Sequence, residues 1–358
     1  MPAAADSPLS AQFRAHAQAL VRVGRTPLYV ALMTGAADDI DSGGVISRLF
    51  SGLPTPPGSV PQLRLLAALH ELVLAGHAPR LTRFYPSVGG ADPPGGAWPV
   101  ARETLQKHFA WIRERLPRTV QTNEPGRSAV LYAVLLWLAD RHRRPIRLLE
   151  IGASAGLNLQ ADRFAYTVAA QTFGDPSSAL RFEQPWRPPP EIDLAAAQRE
   201  LLIADRAGCD LAPLDPASAD DRRRLLSYIW PDEPERLRRL ADALQVAAAD
   251  PVPVAAATAS RWLPAELERR RPAELTLVWH SVMRQYVADE EWSAIQVQLR
   301  AAGDDADRPV VRVGMEPQVD PTIRFLVTLY TDPDNPGRQL ARCGDHGPPV
   351  IWHPRAGG

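Results

Sequence analysis

Glu150, Gly152, Ser154, Gly156 and Asn158 stand at alternate positions in the run LLEIGASAGLNL, residues 148–159. Their types bind or react more readily than they pack. An apolar run ending on a carboxylate reads as a strand, the small residues around two glycines as a tight turn, and Asn158 as the opening of a helix. Glycine has no Cβ, so a ligand can lie against bare backbone, and the first N–H groups of a helix have no partner within it. A nucleotide-like ligand suits that geometry. The plain alternative is a strand-to-helix turn in which Glu150 caps the helix and the glycines serve packing.

Two chemistries use such a turn. Read as E-x-G-x-x-x-G-x-N, the run resembles the first motif of class I S-adenosylmethionine-dependent methyltransferases, where the acid and glycines hold the methionine end of the cofactor. Read as G-x-S-x-G, it resembles the nucleophile elbow of α/β-hydrolases, with Ser154 exposed on the turn. Asp210, in RAGCDLAPLD, reads as a strand-end acid for ribose hydroxyls, better placed than Asp175 in its GDPSS turn. His280, in LVWHSVMRQY, ends a strand and is the candidate general base on a hydroxyl, with Tyr286 on the same rim. Equally, a single histidine at a strand end can be structural.

Gln121, Thr122, Asn123, Glu124 and Arg127 cluster before a helix that opens at Pro125. Thr122 or Asn123 can cap that helix, or the group can form a polar lid in which Asn123 touches the cofactor. Asp162 and Arg163 read as a structural ion pair. Asp345 and His346 supply an acid and a base after Ser154, the chain order of an α/β-hydrolase triad, although no His-Gly-Gly segment precedes the turn.

The elements that must position these residues fall into two regions, 1–125 and 126–358. Leucines at helical spacing in 60–76, a stripe in 98–116 and an apolar face from Pro125 to about His142 predict helices. From Pro145 short β-prone runs alternate with helical stretches, which predicts a parallel sheet covered on both faces. Residues 323–330 are strongly β-prone, TDPDNPGRQLARCGDHGP reads as turn chemistry, and 350–352 can return antiparallel. The expected fold class is α/β: a Rossmann-like, methyltransferase-type, mostly parallel sheet of seven strands with a C-terminal antiparallel hairpin, preceded by a helical N-terminal region. A β-rich insertion at 164–200 would explain the distance from Gly156 to Asp210.

Composition narrows the function classes. The net charge is −1, so there is no basic footprint for nucleic acid or for an anionic membrane. No apolar run approaches the ~20 residues needed to span a bilayer, and the N-terminus lacks a leader pattern, so a cytoplasmic protein is expected. Cys209 and Cys343 are far apart, with no C-x-x-C and no Cys/His pair at ligand spacing; neither a disulfide nor a metal site is expected.

QTNEPGRSAVL at 121–131, LLEIGASAGLNL with DRFAY at 162–166, RAGCDLAPLD at 206–215, IWPDEPERLRRLADAL at 229–244 and WHSV at 279–282 together resemble the bacterial domain of unknown function 2332 family. The resemblance runs from about residue 10 to the end. It implies a methyltransferase-like Rossmann domain behind a helical region but no known substrate and no settled activity; S-adenosylmethionine as cofactor and a small-molecule substrate are what the resemblance of the glycine turn to the class I methyltransferase motif implies. It also implies Gly-Asp after the strand near 252–257, where this chain reads VAAAT; the acid expected beside adenine is missing. An α/β-hydrolase, or a non-catalytic protein on the same scaffold, is the alternative.

Overall fold

The computed structural model describes residues 7–56, 58–303, 305–318, 325–330 and 337–353. In chain order the first helices are α1 (Pro8–Val23), α2 (Pro27–Asp41), α3 (Val45–Phe50), α4 (Pro61–Leu74), α5 (Pro79–Thr82), α6 (Ala97–Lys107), α7 (Phe109–Arg115) and α8 (Ser128–His142). Strand β1 (Ile146–Ile151) leads to a small sheet of β2 (Ala165–Val168), β3 (Gln171–Gly174) and β4 (Arg181–Glu183), then to α9 (Leu194–Glu200) and β5 (Ile203–Asp210). Next come α10 (Ala219–Ser227), α11 (Pro234–Ala249), β6 (Val254–Ala256), α12 (Ala259–Glu268), β7 (Leu275–Ser281) and α13 (Asp289–Gly303). The chain closes with β8 (Val310–Pro317), β9 (Phe325–Tyr330), β10 (Arg338–Gly344) and β11 (Gly347–Trp352).

Two units emerge from the packing. The first comprises the chain up to Thr122 together with Ala219–Arg238. Its helices bury one apolar face each: Phe13 and Leu20 of α1, Leu32 and Met33 of α2, and Leu65, Leu69 and Leu72 of α4 share a core. The stripe at 98–116 forms two helices, broken at His108. Segment 219–238, assigned to the second region on sequence, joins this unit through α10 and α4. There His70 is fully buried, its Nδ1 3.1 Å from the Ser227 carbonyl and its Nε2 2.8 Å from the Ser87 hydroxyl. Burial lowers its pKa to about 4, so the ring is neutral: Nδ1–H donates to the carbonyl and Nε2 accepts from the hydroxyl.

The second unit holds the sheet. Among the described residues it has eight strands in the order β11-β10-β9-β8-β7-β1-β5-β6. Strands β8, β7, β1, β5 and β6 run parallel, and β9, β10 and β11 follow antiparallel. The fold is therefore mixed α/β, mostly parallel, with a C-terminal antiparallel hairpin, and an N-terminal helical region precedes it in the chain. The count exceeds the expected seven because RQLARCG, read as turn chemistry, forms β10. Leu340 and Ala341 are buried there between two strong neighbours, and tertiary pairing overrides a weak local preference. The segment between β1 and β5 is the β-rich insertion, stacked through Tyr166 and Trp186 on Tyr132 of α8.

Side chains alternate across a strand, so register assigns faces. Leu149, Ile151, Cys209 and Val278 share a core with Trp262 of α12 and with Trp292, Ile295 and Leu299 of α13. Arg147 lies on that same face, and each of its three guanidinium nitrogens has a partner. Its guanidinium meets Asp205 at 3.2 Å and also binds the carboxylate and carbonyl of Glu266. Glu150 faces the other way, towards α8.

Candidate functional site

The chain runs from β1 outward through β5 to β6, then returns to place β7 on the other side of β1. Ligands in such sheets bind where this reversal opens a crevice at the carboxyl ends of the strands. Ile151 pairs with Cys209 of β5 and with His280 of β7, so Gly152, Asp210 and Ser281 leave the sheet at one level. Backbone register alone groups the three strand ends named on sequence.

The turn after β1 is held almost entirely by its own protein. The N–H groups of Gly152 and Ala153 donate to the Cys209 carbonyl at 2.9 and 3.0 Å. The Ser154 N–H donates to Asp210 Oδ2 at 2.9 Å, and Asp210 Oδ1 accepts from Ala212 N–H at 2.9 Å. Asn123 Oδ1 accepts from both Ala155 and Leu157, each at 3.1 Å. The expected row of outward, unpaired N–H groups is therefore not what the turn presents. The element that follows is a 3-10 helix, Asn158–Arg163, rather than an α-helix. Asn123 and Asp210, both candidate cofactor contacts, fasten the turn, and Glu124 rather than Thr122 or Asn123 caps the short helix at Pro125–Arg127.

Left-handed backbone explains two of the glycines. Gly152 has φ +76° and Gly156 φ +71°. A Cβ on Gly152 would lie 3.3 Å from Met283 Cβ, and one on Gly156 would lie 3.2 Å from Val254 Cγ2. Both glycines admit neighbouring protein. Ser154 adopts φ +53° without being glycine and is buried.

Glu150 is 1% exposed on the α8 side of the sheet. Its Oε1 accepts from Asn158 Nδ2 at 3.4 Å, and Asn158 Oδ1 in turn accepts from the Ser128 hydroxyl at 2.9 Å. Glu150 Oε2 is buried with no hydrogen-bond partner. Burial pushes this carboxyl up to about 8, with the Asn158 bond, the charge of Arg127 and the nearby Trp279 indole N–H, which is outside hydrogen-bond geometry, opposing and Asp210 adding.

His280 faces the other side. Its ring is 2% exposed, lies edge-on to Trp292 at 5.2 Å, and occupies the space above Gly314, whose Cβ would stand 2.5 Å from His280 Cε1. His280 Nδ1 lies 2.7 Å from Glu316 Oε1, which also accepts from the N–H groups of Met283 and Arg284 at 3.3 and 3.4 Å. His280 and Glu316 together hold the turn after β7, where Val282 has φ +53° and Met283 covers Gly152. Tyr286, on the same rim, is 74% exposed.

The β10–β11 turn closes the carboxyl edge. Arg127 donates to the carbonyls of Asp345 at 3.4 Å and Ser281 at 3.3 Å, while His346 lies 3.4 Å from Glu124 and 3.7 Å from Asp345. Asp162 and Arg163 do not pair with each other. Asp162 binds Arg206 at 2.8 and 3.0 Å and Arg163 binds Asp250 at 2.5 Å. After β6 the Ala257 N–H donates to the Asp210 carbonyl at 3.0 Å. Cys209 and Cys343 are free and buried.

Sequence reasoning missed Gly208, Met283, Gly314 and Glu316. A Cβ on Gly208 would stand 2.6 Å from that of Ala153. The signal for two of the others was present: in VVRVGMEP the polar or small residues Arg312, Gly314 and Glu316 recur with period two inside an apolar run. Among the described residues no helix is long and apolar enough to cross a membrane. No curated protein and no solved structure matches the chain. Residues 10–352 match the family described as "Uncharacterized protein conserved in bacteria (DUF2332)", and the chain belongs to that family.

Proposed function

We propose that the chain binds S-adenosylmethionine at the carboxyl ends of β1, β5 and β7 and transfers its methyl group to a small molecule. One observation carries the reading: a carboxyl oxygen of Glu150 is buried without a partner beside the glycine turn, at the point where the winding reverses. A buried polar atom left unpaired is costly, and a ligand ammonium reaching it would ionise Glu150 and complete its hydrogen bonding. The methionine end of the cofactor bears such a group.

Glu150 and Asn158 would hold that end, and Asp210, whose carboxylate keeps the turn in shape, would lie beside the ribose. Asn123 would act through the turn. Bound S-adenosylmethionine would supply an electrophilic methyl group. His280 enters as a positioning residue, because its Nδ1 holds Glu316 and Glu316 holds the Met283 turn above Gly152.

Calorimetry with S-adenosylmethionine and S-adenosylhomocysteine tests the reading. Binding by wild type that is lost in Glu150→Gln supports it; no binding of either compound overturns it. Incubation of cell extract with labelled cofactor then separates an enzyme, which yields a methylated metabolite, from a protein that only binds. A second reading, hydrolysis with Ser154 as nucleophile, draws on the left-handed backbone at that serine. Fluorophosphonate labelling that disappears in Ser154→Ala would favour it.

A further inference from the structure

Arg312 is 7% exposed, yet its guanidinium makes no hydrogen bond and no ion pair with any described residue. It rests instead between two rings, 3.8 Å from the centroid of Tyr330 and 5.2 Å from that of Trp292. Glu316 acts on it through space, but the Oε1 atom of that carboxylate is engaged with His280 and two backbone N–H groups. Ring faces attract a cation without meeting any of its five N–H donors. A buried guanidinium in this state is poised for an acceptor that the described chain does not provide.

Register shows what surrounds it. Val278, Arg312 and Tyr330 form one row across β7, β8 and β9, and His280, Gly314 and Thr328 form the next. Glu316 and Leu326 form the third. Rows on one face lie about 6.6 Å apart, within reach of an arginine side chain. Among the described residues, two fully buried atoms of this face have no partner, His280 Nε2 and Glu316 Oε2. Gly314, which carries no side chain, leaves room between them for the imidazole.

We infer that the α13 face of the sheet holds an oxyanion site in which Arg312 binds the phosphate or carboxylate group of a small molecule. The Thr328 row and the unpartnered atoms of His280 and Glu316 meet its remaining polar groups. The site lies on the opposite face from Glu150, and it stands or falls independently of the cofactor reading.

The test titrates inorganic phosphate, and separately acetate, into the full chain by calorimetry and thermal shift. Wild type, Arg312→Gln and, as a control on the small sheet, Arg181→Gln are compared. Phosphate or acetate should bind wild type and Arg181→Gln, and Arg312→Gln should bind about tenfold more weakly or not at all. The preferred anion tells a phosphate ligand from a carboxylate one. No binding of either anion by wild type, or equal binding by Arg312→Gln, overturns the site. Should Arg312→Gln fail to fold, the Arg312 Nε–H resonance of wild type decides: a shift on adding the anion supports the site, and an unmoved resonance refutes it.

Discussion

Two arginines are buried on one face of the sheet, and they are kept there in opposite ways. Arg147, at the amino-terminal end of β1, is enclosed by Asp205 and Glu266 and by a carbonyl of α12. Arg312, on β8, has ring faces and no acceptor. A charge taken from water must be repaid by partners, so the first arrangement is part of the architecture. The second leaves hydrogen-bonding capacity unspent, as does Glu150 on the α8 side. Full pairing suits a residue that holds the fold; the incomplete pairing of Arg312 and Glu150 is what the two proposed ligands would complete.

That contrast can be broken by mutation, most severely at Arg147. Arg147→Met should lower stability by about 3 kcal/mol in denaturant unfolding, because Glu266 is left buried with only the exposed Arg269 as counter-charge. A loss under about 1 kcal/mol would erase the distinction drawn between the two arginines.

Glu150 tests it with a pH dependence. The folded state keeps the proton up to about pH 8, whereas the unfolded chain releases it near the ordinary glutamate value of 4.5. Protons bound in the folded but not the unfolded state make stability fall as pH rises through that window. Glu150→Gln removes this term, so its stability relative to wild type should rise by about 3 kcal/mol between pH 5 and pH 8. A difference that does not vary with pH would show that the carboxyl is solvated or paired after all.

Smaller effects follow on β8. Gly314→Ala forces a methyl against the His280 ring and should cost about 1 to 3 kcal/mol, with loss of protection of the Met283 and Arg284 amides in hydrogen exchange. Unchanged protection would detach His280 and Glu316 from the turn. Arg312→Met should change stability least, by under about 1 kcal/mol in either direction, since an apolar replacement recovers the desolvation cost. A loss as large as that at Arg147 would make Arg312 structural.

Much of the site was legible because apolar runs that end on a carboxylate, glycine or histidine announce where parallel strands stop. Glu150, Gly152, Asp210 and His280 were found in that way, and Asn123 by its density of polar neighbours. Which face each side chain takes was not legible. That depends on register between strands far apart in sequence, and it separates Glu150 from His280 although both end adjacent strands. Helical periodicity likewise says that 219–227 buries a face but not which core receives it. β10 was hidden because its neighbours, rather than its own residues, make it a strand.

The bonds that fasten the β1 turn also set what it refuses. A turn that cradles phosphate needs several N–H groups free to converge on the anion. Here those of Ser154, Ala155 and Leu157 are committed to Asp210 and Asn123, and the nearby Asp210 carboxylate repels negative charge. Nicotinamide dinucleotides and nucleoside triphosphates would therefore be poor occupants of this crevice. The cofactor proposed above, a nucleoside without phosphates that bears its charge as a cation, would meet no such barrier, so the bonds that shape the turn would also select between the two classes.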